Sequence, residues 1–514
     1  MDCELEQPEV GPSTLHCSST ASPEIMALAQ CWLARCLEKD KDTCPTSSEF
    51  LPSRLVQITT AGGMVQSARL VLQDELPRPT QYLTLSHCWG KVQVAVLLRS
   101  TYQAFRSDIP LSILSKTFRD ALQVTASLGY KYIWIDSLCI QQDSDWDWAK
   151  EAATMGDVYR QSTCTLAATG AEDGSGGLFF ERSALAITPC PLFRRQDEMP
   201  LYASPRRSWP EPLNKRAWAV QERYLSPRTL SFGTDKVSWT CRYGECCEGP
   251  NAHHMKLGHN AFSKLLDDRV DENSASDAWE AIVQSYSSCK VTFWKDRWPA
   301  FQGLASQVST AQDWQIVHGL RHHLLGSTEL LWKVTSRGPG TIDCREPSWS
   351  WLNIKGGIEL FWAAFKHCDA DVTVEDSSTS STSTDGPTTI LRVTACMAEF
   401  KSGFVGSELH VSCSLTVSNS SYHSESSDRF SHGLWCPDTL PVCEGPLWAI
   451  QILGGHESYK ASGTYDSFGI VVVAVEGRPG FWRRVGWYTN TSNYNFDEGK
   501  ACPFGRKKST IFLI

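Results

Sequence analysis

An open α/β sheet with flanking helices, followed by a helical segment and a β-rich C-terminal domain, is the fold class this sequence predicts. Three observations carry it. The stretch YLTLSHCWG, residues 82–90, is a short β-rich run that ends at a tight turn. The stretch DIPLSILSKTFRDALQVTASLGYKYIWID, residues 108–136, is a helical pattern followed at once by a strand. From residue 388 onward, β-patterned segments follow one another. A strand, a turn, a helix and a second strand that is apolar on both faces describe a βαβ unit of a parallel sheet.

Each element has its own sequence reason. EIMALAQCWLARCLEKD reads as a short helix, and RLVQI, after a polar loop, as strand-like. Tyr82 to Ser86 alternates and ends at His-Cys-Trp-Gly. Leu114, Phe118, Ala121, Leu122, Thr125 and Leu128 recur at helical spacing, with Gly129 as the C-terminal cap. Tyr130 to Asp136 is the next strand. A helix over DSDWDWAKEAATMGDVYRQ carries Trp148, Ala152, Met155 and Tyr159 on one face, with Ser144 or Asp145 as its cap. Glu151 either points back toward the Asp136 loop or, opposite Trp148 and Met155, lies on the solvated face. TCTLAAT, the short helix KRAWAVQERYL and the strand PRTLSFG complete the sheet.

Beyond that the texture changes. Residues 276–332 are helical and Trp-rich, and VEDSSTSSTSTDGP, residues 374–387, has the composition of a disordered loop. TTILRVTACMAEF, ELHVSCSLTV, LWAIQIL, FGIVVVAVEG and FWRRVGWYTN read as successive strands. The expected organisation is a 1–50 arm with a short helix, a 51–240 α/β domain, a 241–345 helical segment and a 346–514 β-rich domain.

Bulk properties narrow the function classes. At 514 residues the chain exceeds one ordinary core. With 48 basic against 57 acidic side chains, a net charge of −9 and no long basic run, nucleic-acid binding through a charged patch is not expected. No stretch approaches the roughly 18 apolar residues of a membrane helix, so no membrane partner is expected. MDCELEQPEVGPSTLHC lacks the features of a signal peptide, and a cytoplasmic protein with reduced thiols is expected. The 20 cysteines are scattered; the one cluster, Cys241, Cys246 and Cys247 with His253 and His254, fits no zinc spacing, and no metal site is assigned. The 20 tryptophans read chiefly as core.

Three motifs stand in order: YLTLSHCWG, YIWIDSLCIQQDSDWDWAKEAATMGDVY and RAWAVQERYLSPRTLSF. Together they resemble the fungal heterokaryon incompatibility (HET) domain. CWLARCLEKDKDTCPTSSEFLPSRLV upstream, and YSSCKVTFWKDRWPAFQGLA and PSWSWL downstream, are also similar to segments of such proteins. The resemblance implies an intracellular fungal protein that triggers cell death when incompatible hyphae fuse. It further implies a TIR/flavodoxin-like sheet, some of whose members cleave NAD at the nicotinamide–ribose bond. In that comparison LTLSHCWG stands for the first strand, IWIDSLCI for the second, and Glu222 of RAWAVQERYL falls on the catalytic carboxylate. His87-Cys88 departs from the family pattern, in which many members carry a tyrosine and an apolar residue.

Ligands of open parallel sheets sit outside the carboxyl ends of the strands. Ser86, His87, Trp89, Gly90 and Asp136 fall there. Glu222 shares a helix face with Trp218, four residues earlier. A carboxylate beside a ribosyl bond stabilises an oxocarbenium-like transition state, whereas the structural alternative has Gln221 and Glu222 tying the helix to its neighbours. Asp136 either holds a ribose hydroxyl or caps the amides of Ser137 to Cys139. Cys139 is either a nucleophile paired with His87 or an inert core thiol. Trp89 and Gly90 make a turn that lets backbone approach a ligand. No cofactor is implied beyond NAD as a substrate. The other partners considered are a small molecule in the crevice, a protein partner or a second copy of the chain. The alternatives to cell-death signalling are an enzyme of specialised metabolism and a non-catalytic interaction module.

Overall fold

The computed structural model describes residues 17–39, 44, 50–91, 95–182, 190–193, 201–203, 211–248, 261–267, 269–338, 346–360, 370–376, 389–402, 411–415, 432–438, 446–456, 464–493 and 508–514. Two compact units result: one spans Met1–Lys264 and Pro299–Leu304, the other Leu265–Trp298 and Ala305–Ile514.

The first unit holds an eight-stranded mixed sheet. Its elements in chain order are α1 (Pro23–Lys39), β1 (Arg54–Ala61), β2 (Met64–Leu72), β3 (Leu83–Ser86), α2 (Tyr102–Ser107), α3 (Lys116–Ser127), β4 (Tyr132–Trp134), α4 (Asp136–Cys139), α5 (Asp145–Arg160) and β5 (Cys164–Ala167). After a small separate hairpin, β6 (Cys190–Phe193) with β7 (Leu201–Ala203), come α6 (Ala217–Leu225), β8 (Arg228–Phe232), β9 (Val237–Cys241) and β10 (Glu245–Cys247). The order across the sheet is β10-β9-β8-β5-β3-β4-β1-β2. β4, β3, β5 and β8 are parallel, so the parallel strands stand second, first, third, fourth in chain order.

Antiparallel strands flank this parallel centre on both sides, where sequence reading expects a parallel sheet throughout. On one side β1 and β2 form a hairpin closed by Gly62 and Gly63, with φ of +58° and +79°. Two successive left-handed residues are what a tight hairpin turn demands, and Gly-Gly supplies them without a Cβ clash. On the other side β9 and β10 fold back against β8.

Helix α3 follows its sequence pattern: the Ser115 hydroxyl accepts from Phe118 N, Phe118, Ala121, Leu122 and Thr125 are buried, and Gly129 at φ +84° ends it. Ser144 caps α5 by accepting from Asp147 N. Two residues of α5 depart from the wheel. Trp148 is exposed, while Glu151 is only 2% exposed because Arg54 on β1 reaches it. The Arg54 Nη2 pairs with Asp147 Oδ1 at 2.6 Å and Glu151 Oε1 at 3.2 Å. An ion cluster removed from water survives only when its charges are paired in this way. The core beside it holds Trp134, fully buried edge-on to Tyr159 with ring centres 5.7 Å apart. Burying one such aromatic removes enough area to be worth roughly 4–6 kcal/mol before entropy is charged.

The second unit begins with helices Glu272–Ser287 and Pro299–Gln312, the latter starting in the first unit, and carries an eight-stranded sheet. Thr389–Ser402 pairs at its far end with both Val411–Leu415 and Leu447–His456. The pairing then runs on through His432–Pro437, Phe481–Asn493 and Thr464–Ala474 back to Leu447–His456, which closes a ring of six strands. Closure removes exposed edges. Residues 374–376 of the expected loop end a strand, Asp371–Asp376, and the rest of that segment lies outside the described residues. No helix among the described residues is long and apolar enough to cross a membrane.

Candidate functional site

The carboxyl ends of β3 and β4 and the helix α6 bring five side chains of the expected set, Ser86, His87, Trp89, Asp136 and Glu222, into one region. Ser86 is the last residue of β3, and its hydroxyl donates to Glu222 Oε2 on α6. Glu222 sits there because α6 packs back toward the sheet, burying Ala217, Ala219, Val220, Gln221 and Glu222 together. Tyr159 of α5 lies against the same carboxyl group while its hydroxyl donates to Leu85 O at 3.2 Å. Burial pushes the Glu222 carboxyl up to about 7, against the pull of Arg216 and the Ser86 hydrogen bond; the Asp136 charge pushes it further up. Desolvation dominates because a carboxylate loses most of its hydration here.

Asp136 is the residue on which both sequence alternatives meet. It opens the four-residue helix α4, and its Oδ1 accepts from Ser137 N at 2.7 Å, so it does cap the turn. Its Oδ2 accepts from the Trp89 indole at 2.8 Å, and its side chain remains 22% exposed. The strand itself is shorter than Tyr130–Asp136, covering Tyr132–Trp134, because α4 starts at the carboxylate.

His87 is fully buried beside this carboxylate, with Nδ1 3.8 Å from Asp136 Oδ1, too long for a hydrogen bond. Its ring is stacked near Trp89 and edge-on to Phe118. Burial pushes its pKa down to about 4 although Asp136 pulls it up, so the ring is neutral at pH 7. The Arg216 guanidinium donates to the His87 carbonyl. His87 Nε2 has no hydrogen-bond partner, and neither have Ser137 Oγ after β4 or Thr169 Oγ1 after β5. Buried polar atoms are almost always paired, so three orphans at the carboxyl ends of three neighbouring strands are what a polar ligand would satisfy. Gln221 Oε1 is also unpartnered, and its amide lies against Gly303.

Other residues of the set stand apart. Cys139 is buried in the core and burial pushes its thiol up to about 12, the opposite of what a nucleophilic thiol needs. Gly90 has φ +64°, and a Cβ there would run into Asp173, so its close approach serves Asp173. Trp218 is half-buried, and among the described residues no hydrogen bond or ring contact links it to the set. Sequence reading missed Arg216 and Tyr159. Arg216 opens a quoted motif without any local pattern that marks it as part of a site, and a lone Tyr at helical spacing reads as core. The Cys241 cluster also differs: His253 and His254 lie outside the described residues, and Cys241 lies instead beside Cys36 and Cys44.

Residues 82–222 match the family model described as heterokaryon incompatibility protein (HET). No curated protein and no solved structure matches the chain significantly. The matched span opens one residue before β3 and closes on Glu222, so it contains every side chain of this site. The chain carries a heterokaryon incompatibility (HET) domain over residues 82–222.

Proposed function

We propose that this HET domain is a TIR/flavodoxin-like nucleotide site that cleaves the nicotinamide–ribose bond of NAD as the effector step of incompatibility signalling. The carrying observation is the Ser86–Glu222 pair, a buried carboxyl group held near neutrality at the carboxyl ends of parallel strands. The strand order second-first-third-fourth supports this placement, because doubly wound sheets of that order take ligands beside the first and third strands. The unpartnered atoms of His87, Ser137 and Thr169 supply hydrogen bonds for a polar ligand.

In this reading the C1′–N bond breaks and nicotinamide leaves with the bonding pair, neutralising its pyridinium. Ionised Glu222 lies against the oxocarbenium-like ribose and stabilises the charge, as carboxylates do in glycoside cleavage. Water adds to C1′ and its proton passes to solvent. Asp136 accepts a ribose hydroxyl, and the Trp89 indole fixes the orientation of its carboxylate. Arg216, beside Glu222, favours the ionised form.

The test is nicotinamide release from NAD by the full chain. Wild type releases it, and Glu222→Gln, with an unchanged circular dichroism spectrum, loses at least about a hundredfold in rate. A folded wild-type chain that releases none sinks the proposal. A second reading, a non-catalytic interaction module, is favoured by the 4% exposure of Glu222 and its satisfied hydrogen bond. Under that reading Glu222→Gln destabilises the fold and no turnover is seen in either form.

A further inference from the structure

Three cysteines far apart in sequence meet in the first unit. Cys36 lies on α1, Cys44 comes five residues after the end of that helix, and Cys241 ends β9. Their Sγ atoms all lie within 4.8 Å of one another. All three are free thiols, and their exposures are 0%, 0% and 3%.

The surroundings are those of negatively charged sulfur. Arg228 on β8 is fully buried, and its Nε donates to Cys36 Sγ at 3.1 Å. Its other donors go to the carbonyls of Cys44 and Thr163, and among the described residues no carboxylate pairs with it. A guanidinium cannot be deprotonated and does not stay buried without a counter-charge. Among the described residues only the sulfur cluster is placed to supply one. The turn Cys241-Arg242-Tyr243-Gly244 is closed by the Cys241 amide, which donates to the Gly244 carbonyl at 2.9 Å.

From this geometry we propose that Cys36, Cys44 and Cys241 bind a structural zinc ion that fastens α1 and Cys44 to β9 of the first unit's sheet. Tetrahedral Zn–S bonds of about 2.3 Å place sulfurs about 3.8 Å apart, so the cluster needs only a small contraction. Binding converts three thiols to thiolates and releases three protons. The resulting core carries one negative charge, and Arg228 neutralises it. Cys246 pairs with Trp239 and shares the sheet face of Cys241, but its sulfur is not in the set that lies within 4.8 Å of one another. A redox pair fits the site less well. Sensor thiols must be reached by oxidant, whereas these are closed to solvent. Closed thiolate sites are the structural class of zinc centre.

Metal analysis of the full chain, purified without chelator, tests this directly. About one zinc ion per chain is expected for wild type and for the control Cys289→Ser. Cys36→Ser, Cys44→Ser and Cys241→Ser each lose it. Cobalt exchanged into wild type should give a thiolate-to-metal charge-transfer band, which decides the matter even where a variant fails to fold. A folded wild-type chain that takes up neither zinc nor cobalt overturns the proposal. So does zinc that persists in all three serine variants.

Discussion

Glu222 and His87 respond to pH in opposite senses, and the two effects nearly offset one another. The carboxyl of Glu222 is raised from 4.5 to about 7, so between those values the folded state holds more protons than the unfolded one. Its contribution is fully present below about pH 4.5 and is lost as pH rises through 7, at most about 3 kcal/mol. The His87 ring is lowered from 6.5 to about 4, so its contribution is present above pH 6.5 and lost as pH falls toward 4. In wild type the region between pH 4.5 and 6.5 is therefore nearly flat for this pair. Glu222→Gln removes one side of the balance and exposes the other. Its Tm relative to wild type should increase steadily from pH 5 to pH 8, measured by calorimetry in matched buffers. A Tm difference independent of pH would show that Glu222 ionises normally.

Between β1 and α5 the buried cluster Arg54–Asp147–Glu151 ties the antiparallel edge of the sheet to the helix that follows the Asp136 turn. Asp147 also accepts from Gln141 N at 2.8 Å, which fixes the end of that turn. Arg54→Met leaves two carboxylates buried without a cation and should cost about 3–5 kcal/mol in denaturant unfolding. The triple substitution Arg54→Met, Asp147→Leu, Glu151→Leu should recover most of that loss. A single variant as stable as wild type would mean that water reaches the cluster. This cluster also marks where sequence reading stopped. Helical periodicity located α5 and its cap, because both are local. It left Glu151 between the Asp136 loop and solvent because Arg54 lies 97 residues away and leaves no trace in the helix pattern. The β1–β2 hairpin is different: its Gly62-Gly63 turn is a local signal, but the sequence reading did not use it and assigned no strand to Met64–Leu72.

At the level of the whole molecule, the parallel centre and the β-rich second unit were legible because strand-turn-helix order and β-patterned runs are properties of contiguous sequence. The antiparallel flanks and the closing of the second sheet were not, because the pairing of Thr389–Ser402 with Leu447–His456 is long-range. The same division holds for the site. Ser86, Asp136 and Glu222 stood at motif positions, and the structure unites Ser86 with Glu222 by a hydrogen bond across 136 residues. Arg216 and the Cys36–Cys44–Cys241 cluster emerge only from the fold. If the crevice is a site for glycosidic cleavage, Glu222 must act there as a carboxylate. The pH dependence of kcat/KM for nicotinamide release from NAD then reports its ionisation in the free protein. Activity should rise with pH through a single inflection near 7 and vanish in Glu222→Gln. A flat profile, or release that survives in Glu222→Gln, would contradict it.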